Sequence, residues 1–178
     1  MVTLLALATL SGLLALRAER DAPPAASRSA PLGVGYYLRD ATLSGIGDDG
    51  KLRYRISATA VNQVMADGSV ALEEVALDYG RGSDLPWNVR AEAGRIPPGG
   101  KIIELTGNVV AVTRDSDHPP ATIRTDYLEF DPDTSIAATD KEVTIDYAGS
   151  TVHAIGMRAL LREDRLELLA AVKGRYVP

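Results

Sequence analysis

The strongest constraint on this chain is a strand–turn–strand unit that recurs at a nearly constant period. Its clearest copy is Pro86–Val112. Val89, Ala91 and Ala93 alternate with Arg90 and Glu92, the two-residue period of a strand wet on one face. Pro97-Pro98-Gly99-Gly100 then stops any ladder, because proline has no backbone donor and glycine takes up the dihedrals of a turn. Ile103, Leu105, Val109 and Ala111 resume the alternation, with a break at Gly107-Asn108. Without gaps, Ile123 falls 34 positions after Val89, and Val143 falls 34 after Val109. Val152, Leu166, Leu168 and Val172 each fall 63 positions after Val89, Ile103, Leu105 and Val109 in turn. Towards the N-terminus, Val75 lies 34 before Val109, and Ile56 lies 33 before Val89. Turns held at one phase of a shared period are the mark of a stacked β architecture.

One such unit cannot bury its apolar face alone. Stacked units predict an all-β fold, an antiparallel two-sheet β-jellyroll or open sandwich whose sheets face each other. Further strands are expected over Tyr36–Leu43, Lys51–Ala58 and Val70–Tyr79, with turns at Asp48-Asp49-Gly50, Ala66-Asp67-Gly68-Ser69 and Asp131-Pro132-Asp133. Gly156–Ala171 could pass for a helix on the spacing of Met157, Leu160, Leu161 and Leu168, but the repeat assigns it to strands. An unclosed sandwich leaves an apolar slot between its sheets and unpaired strands at both ends. Those features suit a carrier of acyl chains that joins other β domains edge to edge.

Residues 1–18 read as a single transmembrane helix. Met1–Leu16 has no charged side chain, and Arg17, Glu19 and Arg20 follow at once. Sixteen helical residues span about 24 Å against a hydrocarbon core of about 30 Å, a deficit that snorkelling Arg17 and Arg20 reduce. A cleaved signal peptide is the competing reading, and the lack of a small-x-small site in neutral sequence after the apolar run speaks against it. Residues 19–35, rich in Pro, Ala and Ser, are expected to form an extended linker, and residues 36–178 the folded domain. The basic residues sit on the C-terminal side of the apolar run, so charge alone favours a cytoplasmic domain.

Little chemistry is encoded. A formal net charge of −5 and arginines scattered among carboxylates leave no basic stripe for nucleic acid. The chain has no cysteine, which removes disulfides, thiolate zinc sites and a cysteine-attached lipid. His118 lies in a loop-like stretch and His153 at a solvent-facing repeat position, a poor basis for a metal site. Asp48-Asp49-Gly50 and Asp131-Pro132-Asp133 lack the remaining ligands of a calcium loop. No Gly-x-Ser-x-Gly elbow or phosphate-cradling glycine loop occurs. The expectation is a protein that is not an enzyme and needs no cofactor.

Parity and repeat phase select the inward face. Ile56, Leu72, Leu77, Val89, Ile103, Leu105, Ile123, Val143, Val152, Leu166 and Leu168 are the lipid-binding candidates. Tyr54, Val75, Val109, Tyr127, Ile145 and Val172 share their phase. Some of these would touch acyl chains near an open side, and the rest would only pack. The acidic balance favours binding directed at chains, since a phosphate-directed site needs clustered Arg or Lys.

The order and phase of several short motifs resemble the LptC family, the inner-membrane adaptors of lipopolysaccharide export. They are the apolar head, Tyr36-Tyr37-Leu38-Arg39-Asp40-Ala41-Thr42-Leu43-Ser44-Gly45, Asp49-Gly50-Lys51-Leu52-Arg53-Tyr54-Arg55-Ile56, Pro86-Trp87, Gly107-Asn108-Val109 and Arg158–Leu169. The resemblance implies an OstA-like β-jellyroll in the periplasm on a single-pass inner-membrane anchor, against the charge argument. It also implies three partners: lipopolysaccharide, an inner-membrane ABC transporter, and a periplasmic bridge protein of the same jellyroll type. The basic residues usual before such an anchor are missing here. The rival expectation is a membrane-tethered structural β module that recruits a periplasmic protein and has no lipid ligand.

Overall fold

The structure, a computed structural model, describes residues 34–47, 50–80, 87–113 and 119–175. The expected anchor (1–18), nearly all of the linker and His118 lie outside the described residues. Among the described residues nine strands follow one another: β1 (Val34–Ile46), β2 (Leu52–Val64), β3 (Val70–Tyr79), β4 (Trp87–Ile96), β5 (Ile103–Thr113), β6 (Thr122–Asp131), β7 (Ile136–Tyr147), β8 (Ser150–Leu160) and β9 (Arg165–Arg175). β1 begins two residues before the domain boundary expected at Tyr36. The ambiguous stretch Gly156–Ala171 lies in β8, a turn and β9, as the repeat requires. Among the described residues no helix is long and apolar enough to cross a membrane.

The repeat is visible in the ladder itself. Val89 faces Ala111, Ile123 faces Ile145, and Val152 faces Gly174. Ile56 faces Leu77 at the corresponding place one unit earlier. Further along the same hairpins, Gly94 opposite Leu105 is matched by Met157 opposite Leu168. Hairpins that agree in cross-strand partners as well as in spacing place their apolar residues on one face, because a one-residue slip would turn them all over.

The expected two sheets are one. All nine strands form a single antiparallel meander in the order β1-β2-β3-β4-β5-β6-β7-β8-β9, and the two facing layers are its two halves. A crease crosses the strands near their middles. The register shifts between Arg90 and Ala93, Thr106 and Val109, Arg124 and Glu129, Thr139 and Glu142, and His153 and Ile155. Left-handed backbone occurs inside strands at Asp40, Glu74, Gly107, Asn108, Gly156 and Ala171. Such bulges bend a strand and raise its twist, so each strand runs through both layers. Gly107-Asn108, which looked like a break in the alternation, is the β5 part of this line.

The crease also resets which residues point inward. In β6, Ile123 and Thr125 are buried before it, and Leu128 and Phe130 after it. Tyr127, expected inside from unbroken alternation, is on the outer face, where its hydroxyl donates to Glu129 at 2.6 Å. Val172, also expected inside, is exposed in β9. The core joins the halves through aromatic edges: Phe130 meets Tyr54 at 6.0 Å and Tyr79 at 5.4 Å between ring centroids, both near perpendicular, the arrangement that ring quadrupoles favour.

The β2–β3 turn is tied down by charge. Asp67 accepts from the Ser69 hydroxyl (2.7 Å) and backbone N–H (2.9 Å), and pairs with Arg95 of β4 at 3.0 Å, which also reaches Glu104 of β5 at 3.4 Å. The hydrogen bonds from Ser69, followed by the Arg95 contact, bring the Asp67 pKa down to about 2. A carboxylate with a lowered folded pKa stabilises above its unfolded value and loses that contribution as pH falls through the folded one. Asp67→Asn should therefore flatten the fall of the thermal midpoint between about pH 4 and about pH 2. A pH profile parallel to that of the parent chain would remove Asp67 from this role.

Candidate functional site

Among the described residues, strand order leaves β1 and β9 each paired on one side only. An edge strand offers unused backbone donors and acceptors, and the apolar interior approaches the surface at both. At the β1 edge, Leu38 lies opposite Val61 and Leu43 opposite Ile56, so the inward side chains of β1 cover those of β2. β1 itself has no outer neighbour, and Leu43 is 50% exposed. The result is a cleft of about 360 Å³ walled by Leu38, Leu43, Ile56, Val61, Leu72 and Ile96, among others. At the β9 edge, Leu166 and Val172 are exposed, and Leu169 is exposed on the outer face beside Tyr127 and Glu129.

The structure divides the eleven candidates by distance from these edges. Ile56 and Leu72 form the floor of the β1 cleft. Leu77, Val89, Ile103, Leu105, Ile123 and Val143 are buried in the common core. Val152 and Leu168 are half-buried, and Leu166 is 40% exposed. The gradient has a simple cause: an interior position needs a strand on either side, and β9 has one only on one side. Sequence reasoning missed Leu128, Phe130, Met157 and Ala159 as core, because parity was carried through the crease unbroken. The left-handed signal of Gly107-Asn108 at the equivalent point in β5 could have flagged the reset.

A second, smaller apolar space of about 40 Å³ lies between the half-sheets, bounded by β3, β4 and the first half of β6 on one side and by the second half of β6, β7 and β8 on the other. Tyr79 and Thr125 are among the residues around it, and their buried hydroxyls, which have no hydrogen-bond partner among the described residues, leave its surface wholly apolar. No group of three or more His, Asp or Glu gathers as for a metal among the described residues. His153 is exposed, with Nδ1 3.0 Å from the Thr144 hydroxyl. Surface ion pairs such as Arg124 with Asp146 stitch neighbouring strands, each at modest gain in water.

A creased antiparallel meander with an apolar interior and two unpaired edges is the construction of a β-jellyroll. The crystal structure of LptH, described as the LptA homologous periplasmic component of the lipopolysaccharide transport device of Pseudomonas aeruginosa, has a similar fold. The match has a TM-score of 0.54 at 8% identity and covers 70% of this chain and 95% of that one. No curated protein matches the sequence. The family described as "Lipopolysaccharide-assembly, LptC-related" matches residues 1–177. This chain belongs to the LptC family, and its role lies in lipopolysaccharide transport.

Proposed function

We propose that this protein is the inner-membrane adaptor of lipopolysaccharide export. It accepts lipopolysaccharide from an inner-membrane ABC transporter and passes it to a periplasmic bridge protein of the same jellyroll type. On this reading residues 1–18 span the inner membrane once, residues 19–35 link, and the β domain works in the periplasm. One observation carries the proposal: the apolar interior opens beside an unpaired strand at β1, and apolar side chains surface again at the other unpaired strand, β9. Acyl chains need a continuous carbon-lined surface, and β domains join by extending a ladder. The β1 edge offers both features, and the β9 edge offers an unpaired strand with exposed apolar side chains.

Photo-crosslinking residues at Ile56, Ile103 and Leu166, placed one at a time in cells, test this path. Capture of lipopolysaccharide at Ile56 and Leu166 supports the carrier. Capture of protein alone, at edge positions only, would leave the rival reading of a recruiting module without a ligand. A charge at Ile103 is a poor test, because that side chain is fully enclosed opposite Phe130 and an unpaired charge there would unfold the domain. Leu43→Glu on the cleft lip is better. It should leave stability within about 0.5 kcal/mol, as surface changes do, while reducing lipopolysaccharide capture at Ile56 by about tenfold, a loss of ~1.4 kcal/mol in apolar contact and desolvation. Undiminished capture in Leu43→Glu would exclude the β1 cleft as the entrance.

A further inference from the structure

Tyr54 stands at one end of the β1 cleft. Ile56 on its floor lies opposite Leu43 on its lip, and both line the cleft. The next inward pair along the same two strands is Tyr54 opposite Gly45, and neither belongs to the walls. The Tyr54 ring lies against the bare backbone of Gly45, where an added Cβ would strike it. From there it reaches the facing half-sheet, meeting Phe130 at 6.0 Å with the two rings near perpendicular. One aromatic side chain therefore spans from the edge strand to the opposite layer where the cleft stops. At the other end the cleft runs to Tyr36, which is exposed. Burial, and after it the Asp133 carboxylate, raises the Tyr54 pKa, so the closing group is an uncharged ring.

We propose that Tyr54 is the stop of the β1 cleft and sets the length of acyl chain that the cleft accepts. This rests on the carrier reading above and goes beyond it by naming the residue that determines chain length. The cleft, about 360 Å³, exists in the structure as it stands, so a chain can lie along it from Tyr36 towards Leu43 with the strands in place. Each methylene buried against its walls adds about fourfold in affinity. The gain ends at the ring, because further carbons must turn out into water or displace Tyr54 from Gly45 and Phe130. Gly45 makes the stop fit, since any side chain there would push the ring away. The competing role for the ring is cross-strand cover of an edge glycine, which would act on the fold and on every ligand alike.

Full-length protein in detergent is titrated by calorimetry with octanoic, decanoic, dodecanoic, tetradecanoic, hexadecanoic and octadecanoic acids, and Tyr54→Ala is treated in the same way. Partition of each acid into detergent is common to both proteins, so it cancels in the ratio of their affinities. The ratio of variant to parent should stay near one for the short acids. It should then rise by up to about fourfold for each methylene added past the stop. Tyr54→Phe keeps the ring and should give a ratio near one at every length. Tyr54→Leu, which keeps apolar contact with Phe130 and serves where the alanine variant does not fold, should show the same rise with a smaller amplitude. A ratio that does not rise with length, or a rise that Tyr54→Phe shows equally, overturns the stop and leaves the carrier. Acid binding that Leu43→Glu leaves unchanged lies outside the cleft and also overturns the stop. Failure of the parent chain to bind any of the acids or lipopolysaccharide itself overturns both readings.

Discussion

Phe130→Ala is expected to lower the unfolding free energy by about 3–5 kcal/mol, the range for emptying a large aromatic site in a core. Phe130 is 1% exposed and is the chain's one phenylalanine. Its neighbours across the ladders are Ile103 and Ala137, and its ring also meets the edges of Tyr54 and Tyr79 from the facing half-sheet. Each aromatic pair adds about 0.5–1.5 kcal/mol beyond area. Ala137 beside it is too small to reach across in its place. A domain whose whole stability lies within about 5–15 kcal/mol would lose a large share of it. Urea unfolding of the purified protein measures the change, and Phe130→Leu should restore more than half of it. A loss below about 1.5 kcal/mol would mean that the halves are held together elsewhere. Because Phe130 also borders the space beside Tyr79 and Thr125, the variant should widen the interior as it weakens it.

That Phe130 escaped a sequence reading, while Val89, Ile123 and Val143 did not, shows where legibility ends. Period-2 alternation reports one face of a strand for as long as the strand is regular. The hairpins and their repeat were therefore readable, whereas the partners across the ladder, Val89 against Ala111 and Ile123 against Ile145, are given by the structure. The crease was not readable in β6. Nothing in Thr125-Asp126-Tyr127 announces an irregular pairing by composition, yet the ladder to β7 is interrupted between Arg124 and Glu129, and the inward set passes from Thr125 to Leu128. The same blindness turned one folded sheet into an expected pair, since a strand bent through both layers has the length and pattern of any long strand. For the candidate residues, a shared strand phase was legible and depth was not. Leu105 and Leu166 have the same pattern in sequence, but Leu105 has strands on either side and Leu166 belongs to the last strand. Burial there is decided by topology.

The crease itself can be tested where it is most sharply defined. Gly107 has φ of +77°, and a Cβ added there would lie 2.6 Å from Glu92 Oε2 and 3.0 Å from Glu92 Cβ. Gly107→Ala therefore meets two costs. The left-handed backbone costs a non-glycine residue about 1–2 kcal/mol, and crowding against β4 adds about 1–3 kcal/mol unless the strands move apart. Gly149, in the β7–β8 turn, separates the two: its φ is +79°, but a Cβ there would meet nothing within 4 Å. Gly149→Ala should lose only the backbone share, and the difference between the two variants measures how closely β4 and β5 approach at the bend. Glu92→Ala combined with Gly107→Ala should recover the part due to the carboxylate and retain the part due to the Cβ atoms. Chemical denaturation of the parent chain, Glu92→Ala, Gly107→Ala and the double variant closes the cycle, with Gly149→Ala as the backbone reference. If Gly107→Ala and Gly149→Ala cost the same, the approach is slack and the bend is set by backbone dihedrals alone. If Gly107→Ala costs more, the two strands are locked together at the fold line.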